Sequence, residues 1–598
     1  MNQRFRFDNQ TVVVTAAGNE LGQAYARFFA SRGANVIVSD SYKEASEIPG
    51  AADQVVQDIQ RTGGRAVVNH DVVTDGEKIV QSAIDAFGRI DVLINNASLP
   101  RDIEFEHIHD VDWDQANATL LKGAFKCTRA AWPYFRKQKY GRVIFSTSTA
   151  GLYGSPGQSH SAAMGSALVG FGQTLAGEGA KYNILSNIID PLIAAPTTGG
   201  HLSWNTQSAE IAQSVIPLVA VLAHSTTSEN GSVFDVGGGY MAKLRWERSS
   251  GLLLQAGDTL TPGALLNKWD KIADFTQAEY PTGPVDMIKK LEDASKLKSN
   301  DPGEAIRFDG KVAVVTGGGA GLGRAYCLGL ARLGAFVVVN DVREPDTVVN
   351  EIRAIGSKAV PNRTSVEDGA AIIETALSAF GRVDIVINNA GILRDKAFAN
   401  MTEQQWDHVL NVHLQGTYKV THAAWPHMLK QKYGRIINTT STSGIYGNFG
   451  QTNYASAKAG ILGLSRALAR EGRKYNVHVN TIAPNAGTQM SRSIFTEEVA
   501  QALKTDYVVP LVLLLCSDKT PSPSTGLLFE VGSGWQGRTR WQRAGGQKWS
   551  KTHGLDPEQV AERWSKITDF QGQGLESPED IETGLKPILA DAERKNKL

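Results

Sequence analysis

The chain has 598 residues, 42% hydrophobic and 20% charged, which excludes a disordered or fibrous protein and predicts at least two domains with sizeable cores. Its 61 basic and 61 acidic residues cancel, so no net field steers it onto nucleic acid or an anionic membrane. Cys127, Cys327 and Cys516 are too dispersed for a metal site or a disulfide framework and predict a reducing compartment.

The N-terminus lacks the apolar core of a secretory signal. The longest apolar runs, 216–223 and 508–516, are too short to span a bilayer. Ala86-Phe-Gly-Arg recurs as Ala379-Phe-Gly-Arg, Ala130-Ala-Trp-Pro as Ala423-Ala-Trp-Pro, and Gln138-Lys-Tyr-Gly-Arg as Gln431-Lys-Tyr-Gly-Arg. The spacing is 293 residues each time, the signature of an internal duplication. The expected order is a first unit over 1–250, a polar, proline-marked linker over 251–305 with one or two short helices, a second unit over 306–545, and an arm and tail over 546–598. The arms repeat too: Trp269-Asp-Lys-Ile-Ala-Asp-Phe returns as Trp564-Ser-Lys-Ile-Thr-Asp-Phe.

In the second unit, short apolar stretches at 312–315, 335–341, 385–389 and 434–440 are separated by helical patterns. That alternation predicts a doubly wound, Rossmann-like α/β fold, with a parallel sheet covered by helices on both faces. Ligands in such sheets bind beyond the carboxyl ends of the strands, so the loops after Thr316, Asn388 and Thr440 are the expected site. The first of them reads Thr316-Gly-Gly-Gly-Ala-Gly-Leu-Gly323 between a strand and a helix. Glycines let the backbone approach a pyrophosphate, and the helix that follows points free N–H groups at it. A carboxylate at Asp341, after the second strand, binds ribose hydroxyls and repels a 2′-phosphate, favouring NAD over NADP; Arg343 works the other way.

Tyr454 and Lys458 stand four residues apart, on one face of a predicted helix. Such a pair alone is usually a solvated helix face. Here it follows the glycine loop, Asn388-Asn-Ala-Gly391, Asn411 and Ser441, in that order. The whole pattern resembles the short-chain dehydrogenase/reductase family across the entire second unit. The resemblance implies that Tyr454 is the general acid/base, Lys458 its electrostatic support, Ser441 the holder of the substrate oxygen and Asn411 the residue that orders a relay water. It also implies that Thr316, Gly317, Gly321, Leu322, Gly323, Asp341, Asn389, Ala390, Gly391, Tyr454, Lys458, Pro484 and Thr488 bind the nicotinamide cofactor. No metal is expected.

The first unit departs at the same positions. Its loop is Thr15-Ala-Ala-Gly-Asn-Glu-Leu-Gly22, with Ala16 and Glu20 where the second unit has Gly317 and Gly321. Ala118, Ser161 and Gly165 replace Asn411, Tyr454 and Lys458; Ser98 and Ala195 replace Gly391 and Thr488; Ser148 and Asp40 are kept. The first unit is therefore expected to be non-catalytic and to bind dinucleotide weakly or not at all. The competing reading makes His160 a substitute acid/base. The family resemblance also implies pairing through the helices that carry Asn411 and Tyr454, expected over Glu403–Lys419 and Asn453–Arg470. The corresponding stretches of the first unit stay apolar and rich in small residues, so the two units are expected to pack as an intramolecular pseudodimer, with further self-association open.

Gly381-Arg-Val-Asp-Ile-Val-Ile-Asn-Asn-Ala-Gly-Ile-Leu-Arg-Asp, Gly444-Ile-Tyr-Gly-Asn-Phe-Gly-Gln and Asn480-Thr-Ile-Ala-Pro-Asn-Ala-Gly resemble the dehydrogenase part of the peroxisomal multifunctional enzyme type 2 family. That resemblance implies NAD-linked oxidation of (3R)-hydroxyacyl-CoA, a coenzyme A thioester, to 3-ketoacyl-CoA. It also implies a hydratase domain, and the chain is expected to lack one. Thr364, where the first unit keeps Asp71, is a further departure. A diverged ketoreductase acting on a polyketide- or terpenoid-like substrate and a non-catalytic scaffold stay open as alternatives. Met490, Ile494 and Phe495 are candidates to close over an apolar group. Arg538, Arg540, Arg543, Lys548 and Lys551 are expected either to be a solvated tail or to meet coenzyme A phosphates. Asn596-Lys597-Leu598 lies near the Ser-Lys-Leu peroxisomal address without matching it, so peroxisome and cytoplasm both remain.

Overall fold

The computed structural model describes residues 4–41, 50–97, 99, 102–192, 195–196, 202–203, 209–488, 496–522, 524–550 and 554–595. The first unit carries β1 (Thr11–Val14), β2 (Asn35–Ser39), β3 (Arg65–Asn69), β4 (Val92–Asn95), β5 (Gly141–Ser146), β6 (Ile184–Pro191), β7 (Val233–Gly237) and β8 (Tyr240–Arg248). After β9 (Leu252–Leu253), the second unit carries β10 (Val312–Thr316), β11 (Phe336–Asn340), β12 (Ala359–Asn362), β13 (Ile385–Asn388), β14 (Gly434–Thr439), β15 (Val477–Pro484), β16 (Leu528–Gly532) and β17 (Trp535–Arg543); β18 is Gln547–Lys548. Most of these strands are runs of valine and isoleucine buried on both faces, as a parallel sheet between helix layers requires.

The first sheet runs parallel in the order β3-β2-β1-β4-β5-β6-β7, with β8 folding back antiparallel on β7. The second repeats it as β12-β11-β10-β13-β14-β15-β16, with β17 antiparallel. The units then join edge to edge: β8 pairs antiparallel with β17, with Trp246 opposite Trp541. These two residues are each other's copies, and their indoles stack at 3.6 Å. A pseudo-twofold axis passes between them, and one continuous sheet crosses the molecule.

The helices that matter here are α1 (Gly123–Gln138), α2 (Ser159–Gly179), α3 (Ala209–Ala223), α4 (Pro262–Leu266), α5 (Gly321–Arg332), α6 (Gly416–Gln431), α7 (Thr452–Gly472), α8 (Val509–Cys516) and α9 (Pro557–Glu562). Helices α2 and α7 pack on each other across the axis. Small residues permit it: a Cβ on Gly170 would lie 2.5 Å from the Ala455 carbonyl, and one on Gly463 only 2.2 Å from that of Ala162. Around them Trp113 stacks on Tyr418 at 4.1 Å, and the copied pair, Phe125 on Trp406, at 4.2 Å. Buried aromatics facing their copies make this a dimer-like interface within one chain.

The two arms are exchanged. Segment 251–305 holds three short helices, α4, Trp269–Ile272 and Met287–Ser295. It is no free linker: β9 pairs with β17, α4 packs on α8, and Leu252, Leu260, Leu265 and Ile272 join the second unit's core. Reciprocally α9 packs on α3, Val560 and Ile567 enter the first unit's core, and Glu558 takes an ion pair from Arg32 at 2.8 Å. Proline-marked, polar sequence hides this because the apolar positions are few and their partners lie in the other unit.

The basic segment needs correction. Arg538, Arg540 and Arg543 lie on β17 at the junction of the units. Arg543 is fully buried and pairs with Asp235 at 3.0 Å; Arg540 meets Glu247 at 2.7 Å and Arg538 meets Glu579 at 2.6 Å. They are not a solvated tail, because each is already paired with a carboxylate in the fold. Lys548 donates to the Pro587 carbonyl at 2.7 Å, and Lys551 lies outside the described residues. Beside Asp235, Asp190 is also fully buried and accepts from Thr149 at 3.1 Å. Burial, then the neighbouring Asp235, push the Asp190 carboxyl well above the usual range. Among the described residues, no helix is long and apolar enough to cross a membrane.

Candidate active site

Strand β10 delivers Thr316 into the glycine loop. Gly317 and Gly321 take left-handed φ angles of 63° and 54°, which side chains resist. A Cβ on Gly323 would sit 2.0 Å from the Gly317 carbonyl. Thr316 Oγ1 accepts from the Asn389 and Ala390 amides at 3.0 and 3.1 Å, and Asn389 Nδ2 donates to the Thr316 carbonyl at 3.1 Å. The loops after β10 and β13 are thus tied together. Asp341 Oδ2 accepts from the Gly319 amide at 3.1 Å and Oδ1 from the Arg343 amide at 3.0 Å. Helix α5 begins at Gly321 with no side chain capping it, so its first N–H groups face the loop. A Cβ on Gly321 would reach Thr488 at 3.6 Å, which sets the loop after Pro484 against the cradle. This is a bed for an anion with a carboxylate at the far end, and it fits a dinucleotide.

On the other side of the crevice, β14 ends at Thr439. Ser441 opens the short helix Thr442–Tyr446, its Oγ accepting from the Ser443 amide at 3.2 Å. Tyr454 and Lys458 lie one turn apart on α7. The Tyr454 phenol is pushed up to about 12, mainly by burial, while a hydrogen bond with Ser441 pulls it down. Burial pushes the Lys458 amine down to about 7; its Nζ donates to the Thr439 carbonyl at 2.6 Å and stands 5.6 Å from the Tyr454 ring centre. Ser441, Tyr454 and Lys458 therefore meet. Asn411 starts a π turn, Asn411–Gln415, between the helix Glu403–Leu410 and α6. The first unit has the same turn at Asn117–Lys122 with Ala118 in the place of Asn411, so the asparagine is not what makes it. Met490, Ile494, Phe495, Ser98 and Asn596-Lys597-Leu598 lie outside the described residues, as does the side chain of Ala195.

Sequence reasoning passes over His413. It is buried in the π turn, with Nε2 at 2.9 and 2.8 Å from the Ile392 amide and carbonyl, and it meets the Tyr454 ring edge-on at 5.2 Å. Burial first, and then the Lys458 charge, hold it well below its usual range, so it is neutral. The first unit has Leu120 there. The signal was available: the copy that lost the tyrosine and lysine also lost this histidine.

In the first unit, Ala16 keeps a left-handed φ of 48°, so this turn of the loop survives without its glycine. The helix Glu20–Ser31 is capped by its own chain, because Asn19 Oδ1 accepts from the Gly22 amide at 2.8 Å. In the second unit that position is Ala320. With Glu20 in the first turn, polar side chains stand where a phosphate would meet α5. Asn19 was also overlooked, although asparagine before a helix is an ordinary capping signal. Ser148 survives as a cap, accepting from the Gly151 amide at 3.2 Å. His160 is fully buried at the position copied as Asn453, which faces Arg394 and Gln405 rather than the crevice.

A family model described as short chain dehydrogenase matches residues 10–205 and 311–499. The chain is 56% identical over 599 residues to a peroxisomal hydratase-dehydrogenase-epimerase of Neurospora crassa, covering all of this chain and 67% of that protein. It is 44% identical to the protein of the same name from Saccharomyces cerevisiae, covering 98% of this chain and 67% of that protein. A peroxisomal multifunctional enzyme type 2 from Mus musculus is 52% identical over 296 residues, 48% of this chain and 40% of the mouse protein.

Proposed function

The chain belongs to the short-chain dehydrogenase family, an oxidoreductase family that works with nicotinamide cofactors, and on that premise we propose that its second unit oxidises a (3R)-hydroxyacyl-CoA to the 3-ketoacyl-CoA with NAD. The observation that carries this is the meeting of Ser441, Tyr454 and Lys458 beside an uncapped glycine cradle. The substrate class is the one implied by the resemblance to the multifunctional enzyme type 2 family, and the similarity to the mouse protein of that name supports it. The bound cofactor supplies the hydride acceptor and a positively charged ring. Ser441 holds the substrate hydroxyl oxygen, and Tyr454 takes its proton. A phenol pushed up to about 12 is almost wholly protonated, and only its phenolate can take the proton, so the transfer depends on Lys458. Held by Thr439, its ammonium stabilises the phenolate that must be present before that proton can be taken. Asn411 orders the water through which the proton leaves. Asp341, at the adenosine end, favours NAD by repelling a 2′-phosphate.

In this reading the first unit, spanning about 1–250, is non-catalytic. It supports the second by pairing with it and by lending the 251–305 arm, whose Val285, Met287 and Ile288 pack with Val499 and Leu503 beyond Thr488. Residence in the peroxisome, as in the names of the relatives, belongs to the same proposal. The test is NADH formation from (3R)-hydroxyacyl-CoA against its (3S) enantiomer and a panel of cyclic alcohols. Turnover of the cyclic alcohols without turnover of the (3R) thioester would replace this substrate with another.

A further inference from the structure

Glu178 belongs to the first unit, near the end of α2, yet its carboxylate accepts hydrogen bonds from the second unit. It is 4% exposed. One carboxylate oxygen accepts from the Gly450 amide at 3.1 Å and from Thr452 Oγ1 at 3.0 Å; the other accepts from the Phe398 amide at 2.6 Å. Thr452 is the first residue of α7, two positions before Tyr454. Gly450 sits at a left-handed φ of 79°, in the bend that leads into that helix. The same bend is held on its other side by Gln451, whose Nε2 donates to Asp395 at 2.8 Å and whose Oε1 accepts from Ser443 Oγ at 2.8 Å. Asp395 lies close enough to raise the Tyr454 phenol, and Ser443 is two residues from Ser441. The bend is therefore tied to Asp395, to Ser443 beside Ser441 and to the turn of α7 that carries Tyr454.

The duplication supplies an internal control. Glu471 is the copy of Glu178 and reaches back into the first unit, accepting from Phe105 and Gly157 amides at 2.7 and 3.0 Å. The third bond is missing: Ser159, the copy of Thr452, is buried with its hydroxyl unpartnered. Two carboxylates thus hold the interface alike, but the one aimed at Tyr454 holds its helix by one more bond.

We propose that Glu178 is a positioning residue for the second unit's chemistry, supplied from the silent unit: it fixes the first turn of α7 and thereby the place of Tyr454. This rests on the dehydrogenase reading above. A carboxylate is needed because three donors converge on it, and a charged acceptor is the strongest partner for them. Both interface variants, Glu178→Ala and Glu471→Ala, should lower thermal stability similarly in the full chain. Glu178→Ala should also reduce kcat roughly ten- to hundredfold, with KM for NAD nearly unchanged, since a misplacement of about 1 Å can cost that much. Glu178→Gln should recover part of the loss, while Glu471→Ala keeps kcat at the wild-type value. Hydrogen exchange reads the same link without substrate: amides 398, 450 and 452–456 should lose protection in Glu178→Ala and keep it in Glu471→Ala. Equal loss of kcat in both variants, or unchanged exchange at those amides in Glu178→Ala, overturns the proposal. An inactive wild type would instead count against the dehydrogenase reading, with the exchange result still deciding the role of Glu178.

Discussion

The two units differ least where they fold and most where they react. Both keep the Thr that anchors the interface helix: Thr147 donates to the Gly165 carbonyl at 2.7 Å, and Thr440 to that of Lys458 at 2.6 Å. Both keep the π turn, the capping serine and the stacked aromatics across the axis. What the first unit lacks is the phenol, the amine and the neutral histidine behind them, and its asparagine caps the helix that the second unit leaves uncapped. A side chain that survives on both sides, such as Ser148, therefore has a structural duty that outlasts its chemical one.

The largest test of this contrast is Tyr454→Phe, which should lower kcat by about 10³-fold while NADH still binds. Ser161→Ala at the copied position should leave kcat alone. A Tyr454→Phe enzyme that keeps its rate would erase the contrast between the units.

A second test concerns the buried carboxyl at Asp190, which has no counterpart in the second unit, where Ala483 stands. Its folded pKa is raised above the unfolded value, so its contribution to stability is complete below about 3.8 and is lost as pH rises towards the folded value. Asp190→Asn should match wild type in denaturant unfolding near pH 4 and exceed it at pH 8. Equal curves at both values would mean that the carboxyl titrates normally.

A gentler test reopens the first cradle. The triple change Ala16→Gly, Asn19→Ala and Glu20→Gly should raise NADH binding from one to two per chain in titration calorimetry, without adding activity. One site before and after would place the obstruction elsewhere. The smallest effect is Ser148→Ala, expected to cost about 1 kcal/mol of stability as a lost helix cap and nothing in rate. Ser441→Ala should cost the same stability and, in addition, most of the rate. Parallel behaviour of the two serines would show that capping is all either does.

The duplication, the glycine loop and the order from Ser441 to Lys458 were legible because each is a local string with fixed spacing. The pairing of α2 with α7 was legible through the family resemblance, with the small residues of α2 in keeping with it. Other features were not, because they depend on residues far apart in sequence. Arg543 reads as a surface cation until Asp235 is brought against it. Glu178 reads as an ordinary helix-end carboxylate until Phe398 and Thr452 arrive from the other unit. The arms are near copies of each other, so nothing local says that each serves the half it does not follow.

That exchange also sets an order in time. A ribosome delivers the first unit long before residues 546–595, and domains ordinarily fold as they emerge. Here Val560, Ile567 and Glu558 pack onto the first unit, and they are made only after the whole second unit. The half that is born first is completed last, after the half that depends on it has already received its own cover from the 251–305 arm.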